Sequence, residues 1–473
     1  MERKGMALVA KRQNNTRRNY LVVNKYQGKH IPVNPTKALE LFSVLAGLVE
    51  KRYQGERLLL IGFAETATAI GEALAVQLGA DYMQTTREQV GDVEYLYFSE
   101  FHSHATEQKV VKDDLDAVIL RAGDAGASLP PVGCPEPLPS AAAKVEAGTE
   151  PHLRIVFVED EVTTGNTIWN IIQLIRQEYG ESLRFSVASL LNGMDGNAQA
   201  RYRRDGIDMV YLVKTDHSKY PEIAKRCKDD GIYHKCQPLP ENLCQPSREG
   251  LRQPFSGNLH HSSCESRDKP EEGRKEGYLY KEFSVSGHIN ARRLHKGAAY
   301  QEACGRLWQE IKGKIPFGAG QEILVLGTEE FMYAPLYVAQ EIQKMGNRVK
   351  CHATTRSPIL VSQDPAYPLH ERYELVSLYD KGRVTYLYDL AAYDMVLVMT
   401  DAEPEPGRKD NFPKECGQGI DARRESGAGK EIDFLEKCKG KIDALEEPGK
   451  TSLCNAIYHS GSRNIYFVRW CGE

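Results

Sequence analysis

The chain has 473 residues, 41% of them hydrophobic and 27% charged, with a formal net charge of −4. This is the make-up of a globular enzyme of roughly two or three domains, each large enough to bury a core. It excludes a global basic field that would hold nucleic acid, and no run reaches the ~20 apolar residues of a membrane span, so neither is an expected partner.

The first 18 residues include Arg3, Lys4, Lys11, Arg12, Arg17 and Arg18 and read as a solvated, frayed terminus. Met6–Ala10 is too short for the apolar core of a secretory signal. Eleven cysteines lie scattered with no Cys-x-x-Cys pair, which argues against a zinc ribbon or a disulfide scaffold and for reduced thiols in a cytoplasmic protein.

Leu58–Ile61 is a short apolar run, closed by Gly62 and followed by a helical pattern to Leu78. Ile155–Val158 is a second such run leading into a helix, and Ser182–Leu191 and Met209–Val213 are further strands. The alternation predicts an α/β fold with a mostly parallel sheet flanked by helices. Ala122–Glu150, rich in Ala, Gly and Pro, interrupts it as a surface insertion, and the polar stretch Gln237–Glu276 reads as an irregular linker in which His260 and His261 are solvated. The alternation then resumes with Ile323–Leu326, a helix to Met345, and strands at Val384–Leu387, Met395–Met399 and Ile465–Val468, with a polar break at Arg408–Gly429.

An internal repeat connects the two stretches. Leu58–Gly62 with Glu65 matches Ile323–Gly327 with Glu330, and Thr85-Thr86-Arg87 matches Thr354-Thr355-Arg356. Two related α/β units follow from this.

The most informative segment is Ile155-Val-Phe-Val-Glu159-Asp160-Glu161-Val162-Thr163-Thr164-Gly165-Asn166-Thr167. Ligands of open parallel sheets bind beyond the carboxyl ends of the strands, where this turn sits. After it Ile168, Ile171, Ile172 and Ile175 mark one helix face. Backbone N–H groups at that helix's start favour a phosphate dianion. Gly165 permits close approach, and the threonines add hydroxyl donors. Glu159 and Asp160 cannot bind phosphate directly; they suit the vicinal hydroxyls of a ribose, or hydrated Mg²⁺.

The segment resembles the 5-phosphoribosyl-1-pyrophosphate (PRPP) signature of type I phosphoribosyltransferases. By that resemblance Glu159 and Asp160 hold the ribose hydroxyls and Thr163, Thr164, Gly165, Asn166 and Thr167 the 5-phosphate. The whole chain resembles a rarer family, an orotate-phosphoribosyltransferase-like domain followed by a TRSP domain, associated with bacterial tellurium-resistance gene clusters. Thr355-Arg356-Ser357-Pro358 supplies the four letters, and Phe101-His102-Ser103-His104-Ala105 also fits. The implied layout is a phosphoribosyltransferase domain over 20–237, a linker over 238–284 and a TRSP domain over 285–473, with a type I phosphoribosyltransferase fold in the first unit.

In that fold the loop Gly62–Thr68 faces pyrophosphate, with Thr66 a donor and Glu65 acting through Mg²⁺; an ordinary strand–helix turn has the same sequence. Arg87 can neutralise pyrophosphate or be a solvated arginine. Glu100–Lys112 lies where these enzymes carry a mobile hood, making His102, His104, Lys109 and Lys112 lid candidates, with zinc a weaker reading of the histidines. Thr355, Arg356 and Ser357 are substrate contacts or a strand end. Asp401 and Glu403 echo the acid pair with no Thr-Thr-Gly-x-Thr loop after them. The expected activity is transfer of ribose 5-phosphate from PRPP to a base-like acceptor, with catalytic roles for Asp160, Glu159 and Arg87 and Mg²⁺ as cofactor. A non-catalytic PRPP sensor is the alternative, and a homodimer stays open.

Overall fold

The computed structural model describes residues 6–15, 18–98, 108–123, 153–236, 279–403 and 447–472. The apolar runs become two parallel sheets. In the first, Asp81–Gln84, Arg57–Gly62, Leu153–Val162, Arg184–Asn192 and Asp208–Lys214 lie side by side in that order, all parallel. Leu59, Leu60, Ile61 and residues 155–158 are all fully buried, as strands covered on both faces must be. The helix Asn166–Tyr179 turns Ile168, Ile171, Ile172 and Ile175 inward.

The second sheet repeats this plan. Its order is Arg348–Ala353, Glu322–Gly327, Met395–Thr400, Asn464–Trp470, Leu279–Val285, again all parallel. The correspondence reaches single hydrogen bonds. The Thr85 amide donates to the Gly62 carbonyl and the Thr354 amide to the Gly327 carbonyl. The Ala64 amide donates to the Thr85 hydroxyl at 2.9 Å and the Glu329 amide to the Thr354 hydroxyl at 3.0 Å. Thr86 bridges to Lys109 as Thr355 bridges to Tyr386. The repeat seen in the letters is a repeat in space. Val384–Tyr388 lies outside the parallel sheet, paired antiparallel with Glu371–Val376. Its counterpart in the first unit is the hairpin of Tyr95–Phe98 and Gln108–Val111.

The chain crosses between the units more than once. Ile232–Lys235 pairs with Glu371–Val376, and His295–Lys296 adds an antiparallel edge to Asp81–Gln84. The amino-terminal region corrects the expectation of a frayed end. Ala7–Lys11 pairs antiparallel with Tyr20–Asn24, and Ala10, Leu21 and Val23 pack with Ile359, Val361 and Tyr388 of the second unit. The apolar residues Leu8, Val9 and Ala10 set the structure here.

Helix Gly297–Lys314 crosses Thr68–Leu78 so closely that a Cβ on Gly297 would stand 2.5 Å from the Ala75 carbonyl oxygen. Gly297→Ala is therefore expected to destabilise the protein by about 1–3 kcal/mol, read as a lower urea midpoint at unchanged slope.

Candidate active site

The strand Leu153–Val162 runs four residues beyond the apolar stretch and carries Glu159, Asp160 and Glu161 to the carboxyl edge of the sheet. It then turns through Thr163 and Thr164 to Gly165, whose φ of +70° is the left-handed conformation glycine adopts freely. Tyr202 Oη donates to the Gly165 carbonyl at 2.6 Å, and a Cβ on Gly165 would lie 2.6 Å from Tyr202 Oη. Thr164 and Asn166 are exposed and Thr163 and Thr167 partly so. The turn is thus held from behind and exposed in front, with the Asn166 amide donating to Thr164 Oγ1 at 3.3 Å.

Thr66 Oγ1 donates to Asp160 Oδ1 at 2.8 Å. This bond joins the loop after the first strand to the acid pair, and Gln27 Nε2 holds the loop from outside by donating to the Thr66 carbonyl. Burial and the adjacent Asp160 push the Glu159 carboxyl well up, so Glu159 tends to stay protonated.

Two arginines outside the motif flank the turn. Arg18 donates to Glu161 Oε2 at 2.6 Å and to Thr163 Oγ1 at 3.3 Å, with its guanidinium 4.6 Å above the Tyr20 ring. Arg201 donates to Asn166 Oδ1 at 2.8 Å and to the Thr164 carbonyl at 3.3 Å. His217 Nε2 stands 3.2 Å from Glu161 Oε1, and its Nδ1 is 3.0 Å from Tyr20 Oη. Burial raises Glu161 to about 7 against the opposing pull of Arg18. Burial, helped by Arg18 and Lys214, holds His217 down at about 4. Sequence reading passes over these residues: Arg18 is one of several basic residues in its stretch, and Arg201 sits in the run Arg201-Tyr-Arg-Arg204.

Glu65 turns away from the acid pair and into the junction between the units. Its carboxylate meets Lys29 Nζ at 2.8 Å, the Arg356 amide at 3.1 Å and Thr355 Oγ1 at 3.3 Å. Burial would raise its pKa, but Lys29 and Arg356 outweigh burial and bring it down to about 2. Glu330 makes the mirror contacts, accepting from Thr86 Oγ1 at 2.7 Å and the Arg87 amide at 3.1 Å. The Arg356 guanidinium is filled by Glu88, Glu329 and Glu330. Ser357 donates its amide to Thr355 Oγ1 and accepts from Tyr388 Oη at 2.7 Å. Arg87, by contrast, makes no ion pair among the described residues, and its Nε is buried without an acceptor. Lys109 Nζ donates to Gln89 at 2.8 Å and lies 4.2 Å over the Tyr95 ring. His102 and His104 fall outside the described residues.

In the second unit the register of the strands sets Asp401 at the position of Asp160 and Thr400 at that of Glu159. Arg292 Nη1 is 2.5 Å from Asp401, and Tyr379 Oη donates to it as well. Asp401 is thereby consumed by the protein itself.

Among the described residues no group of three or more His, Cys, Asp or Glu is arranged to hold a metal ion, and no helix is long and apolar enough to cross a membrane. A cleft of about 590 Å³ is lined by Lys25, Tyr26, Lys37, Lys350 and Tyr367, and one of about 250 Å³ by Tyr233, His234 and Arg372; neither includes the 159–167 segment.

Residues 6–127 match the profile of the PRTase_2 family, described as phosphoribosyl transferase, and residues 292–414 match the TRSP domain that lies C-terminal to it. The chain thus carries a phosphoribosyl transferase match followed by a TRSP match. The match to the phosphoribosyl transferase profile ends before the acid pair, so residues 159–167 bear on function independently of it. The search of curated proteins gave no match. Among solved structures, adenine phosphoribosyltransferase from Rhodothermus marinus is 15% identical, covering 45% of this chain and 96% of its own, with a TM-score of 0.29. The Trypanosoma brucei enzyme, in complex with AMP, pyrophosphate and ribose-5-phosphate, is 16% identical over 44% of this chain and 76% of its own, at 0.28. The Giardia lamblia enzyme with 9-deazaadenine is 11% identical over 45% and 95%, at 0.28. The amino-terminal match supports an enzyme of group transfer, and the TRSP match falls within the second α/β unit.

Two outcomes follow from the turn and its flank. Gly165→Ala forces a Cβ into Tyr202 at a left-handed position and is expected to cost about 1–3 kcal/mol in thermal unfolding. Glu161 has its pKa raised from 4.5 to about 7 by folding, so its contribution to stability is complete below about 4.5 and is lost as pH rises through 7. Glu161→Gln is expected to flatten the fall in stability between those pH values, by up to roughly 3 kcal/mol in denaturant titrations.

Proposed function

We propose that the protein binds PRPP at the carboxyl edge of its first sheet and transfers ribose 5-phosphate to a nitrogen of a heterocyclic base, releasing pyrophosphate. The observation that supports this best is the Thr66–Asp160 hydrogen bond. It joins the loop after the first strand to the acid pair, and the turn of residues 163–167 follows that pair in the same strand and loop. PRPP carries its three recognisable parts, the 1-pyrophosphate, the ribose diol and the 5-phosphate, in the same sequence.

In this reading residues 163–167 cradle the 5-phosphate through amides and hydroxyls, with Arg18 and Arg201 adding positive charge beside them. Asp160 accepts from a ribose hydroxyl, while a protonated Glu159 can donate as well as accept. The attack on C1 builds positive charge on the ribose, which the carboxyls stabilise, and negative charge on the leaving pyrophosphate, which Arg87 and the loop amides meet. Magnesium would arrive on PRPP, where Asp160 could hold it through an oxygen donor and the ion would neutralise the pyrophosphate. The acceptor is a base-like molecule of a nucleoside-like pathway, handled in the cytoplasm.

Asp160→Asn combined with Thr164→Ala tests the reading. Calorimetry with PRPP and Mg²⁺ is expected to show binding to the parent protein and a loss of at least about 100-fold in the double variant, with circular dichroism unchanged. Equal affinity in the two proteins would remove PRPP from this site.

A further inference from the structure

The two units grip each other by exchanging carboxylates. Glu65 of the first accepts from Thr355 Oγ1 and the Arg356 amide of the second. Glu330 of the second accepts from Thr86 Oγ1 and the Arg87 amide of the first. Residue for residue these are the same contacts under the repeat, as in the isologous face of a two-fold dimer. The chain thus folds as an internal pseudo-dimer.

The two halves of this exchange end differently. Arg356, the counterpart of Arg87, has its guanidinium saturated by Glu88, Glu329 and Glu330. Arg87 pairs with none of the described carboxylates, and its buried Nε lacks an acceptor. Its backbone is nevertheless pinned. Glu330 is 1% exposed, and its two oxygens together receive Thr86 Oγ1, the Arg87 amide, Arg292 Nε at 3.0 Å and Arg356 Nη2 at 3.1 Å. Thr86 also pairs through its backbone with Lys109 and accepts from the Glu88 amide at 2.9 Å. A carboxylate held by four donors is a rigid anchor, and it fixes the point from which the Arg87 guanidinium, with its unpartnered Nε, leaves the chain.

We infer that Glu330 is a positioning residue, by which the second unit presents Arg87 to the pyrophosphate group of PRPP. The inference rests on the PRPP reading above and gives the TRSP domain a part in it. Glu330 does not touch the ligand; it fixes the Arg87 backbone so that the side chain meets a diphosphate oxygen without being ordered anew. The clamp of Thr355 and Arg356 on Glu65 fixes the neighbouring loop in the same way, so the second unit orders both protein segments that face pyrophosphate.

The test compares two ligands that differ at the leaving group. PRPP and ribose 5-phosphate are titrated, with Mg²⁺, into the full chain, into Glu330→Gln and into Thr86→Val. PRPP is expected to bind about tenfold more weakly to each variant, while ribose 5-phosphate, held by residues 163–167, stays within about twofold. Adding Thr86→Val to Arg87→Ala should bring little further loss. Unchanged PRPP affinity in both variants, or equal weakening of the two ligands, overturns the inference. Should Glu330→Gln fail to fold, Thr86→Val, which removes a single hydroxyl from Glu330, decides alone. A parent protein that binds neither ligand would instead overturn the PRPP reading, a separate result.

Discussion

The structure turns on two buried carboxylates that change sides. Glu65 and Glu330 each lie deep in the junction, where an ionised group is costly unless donors surround it. Each draws two of those donors, a threonine hydroxyl and an arginine amide, from the opposite unit. Removing one partner from such an arrangement leaves a charge without compensation, a loss far larger than that of an exposed ion pair. The fully buried Lys29, which bonds both Glu65 and the Glu329 carbonyl, belongs to the same balance. Polar groups therefore act with the shared apolar core in holding the two sheets together.

That constraint explains why the units are so entangled. His295–Lys296 completes the edge of the first sheet, Ile232–Lys235 joins a strand pair of the second unit, and the hairpin of Ala7–Lys11 and Tyr20–Asn24 packs on both. One hydrophobic cluster runs from Met6 through the first sheet to Trp470. Neither unit closes its core without the other.

Much of this can be read in the letters, and what cannot has a physical cause. The acid pair and the turn after it are contiguous, so composition and the spacing of Ile168, Ile171, Ile172 and Ile175 expose strand, turn and helix together. The repeat is visible because Thr-Thr-Arg and the strand–Gly–acid pattern recur. The partners of Glu65 are hidden, because a sequence shows an acid after a strand but not which way its carboxylate turns. Sequence alone suggests a magnesium-linked role for it; the geometry commits it to Lys29, Thr355 and Arg356. Arg18 is hidden for a different reason. Counting charge over the first 18 residues does not single out the one side chain that Glu161 and Thr163 hold. Leu279–Val285 is missed because its partner, Asn464–Trp470, lies at the far end of the chain.

Asp401 sits where Asp160 sits, yet Arg292 and Tyr379 already hold it. In a dimer of identical chains this could not happen on one side only, since any substitution would strike both copies and both sites would close together. Joining the halves in one polypeptide removes that coupling. One half can give up its own ligand pocket and specialise as scaffold, because the residues that change there are no longer the residues that work elsewhere.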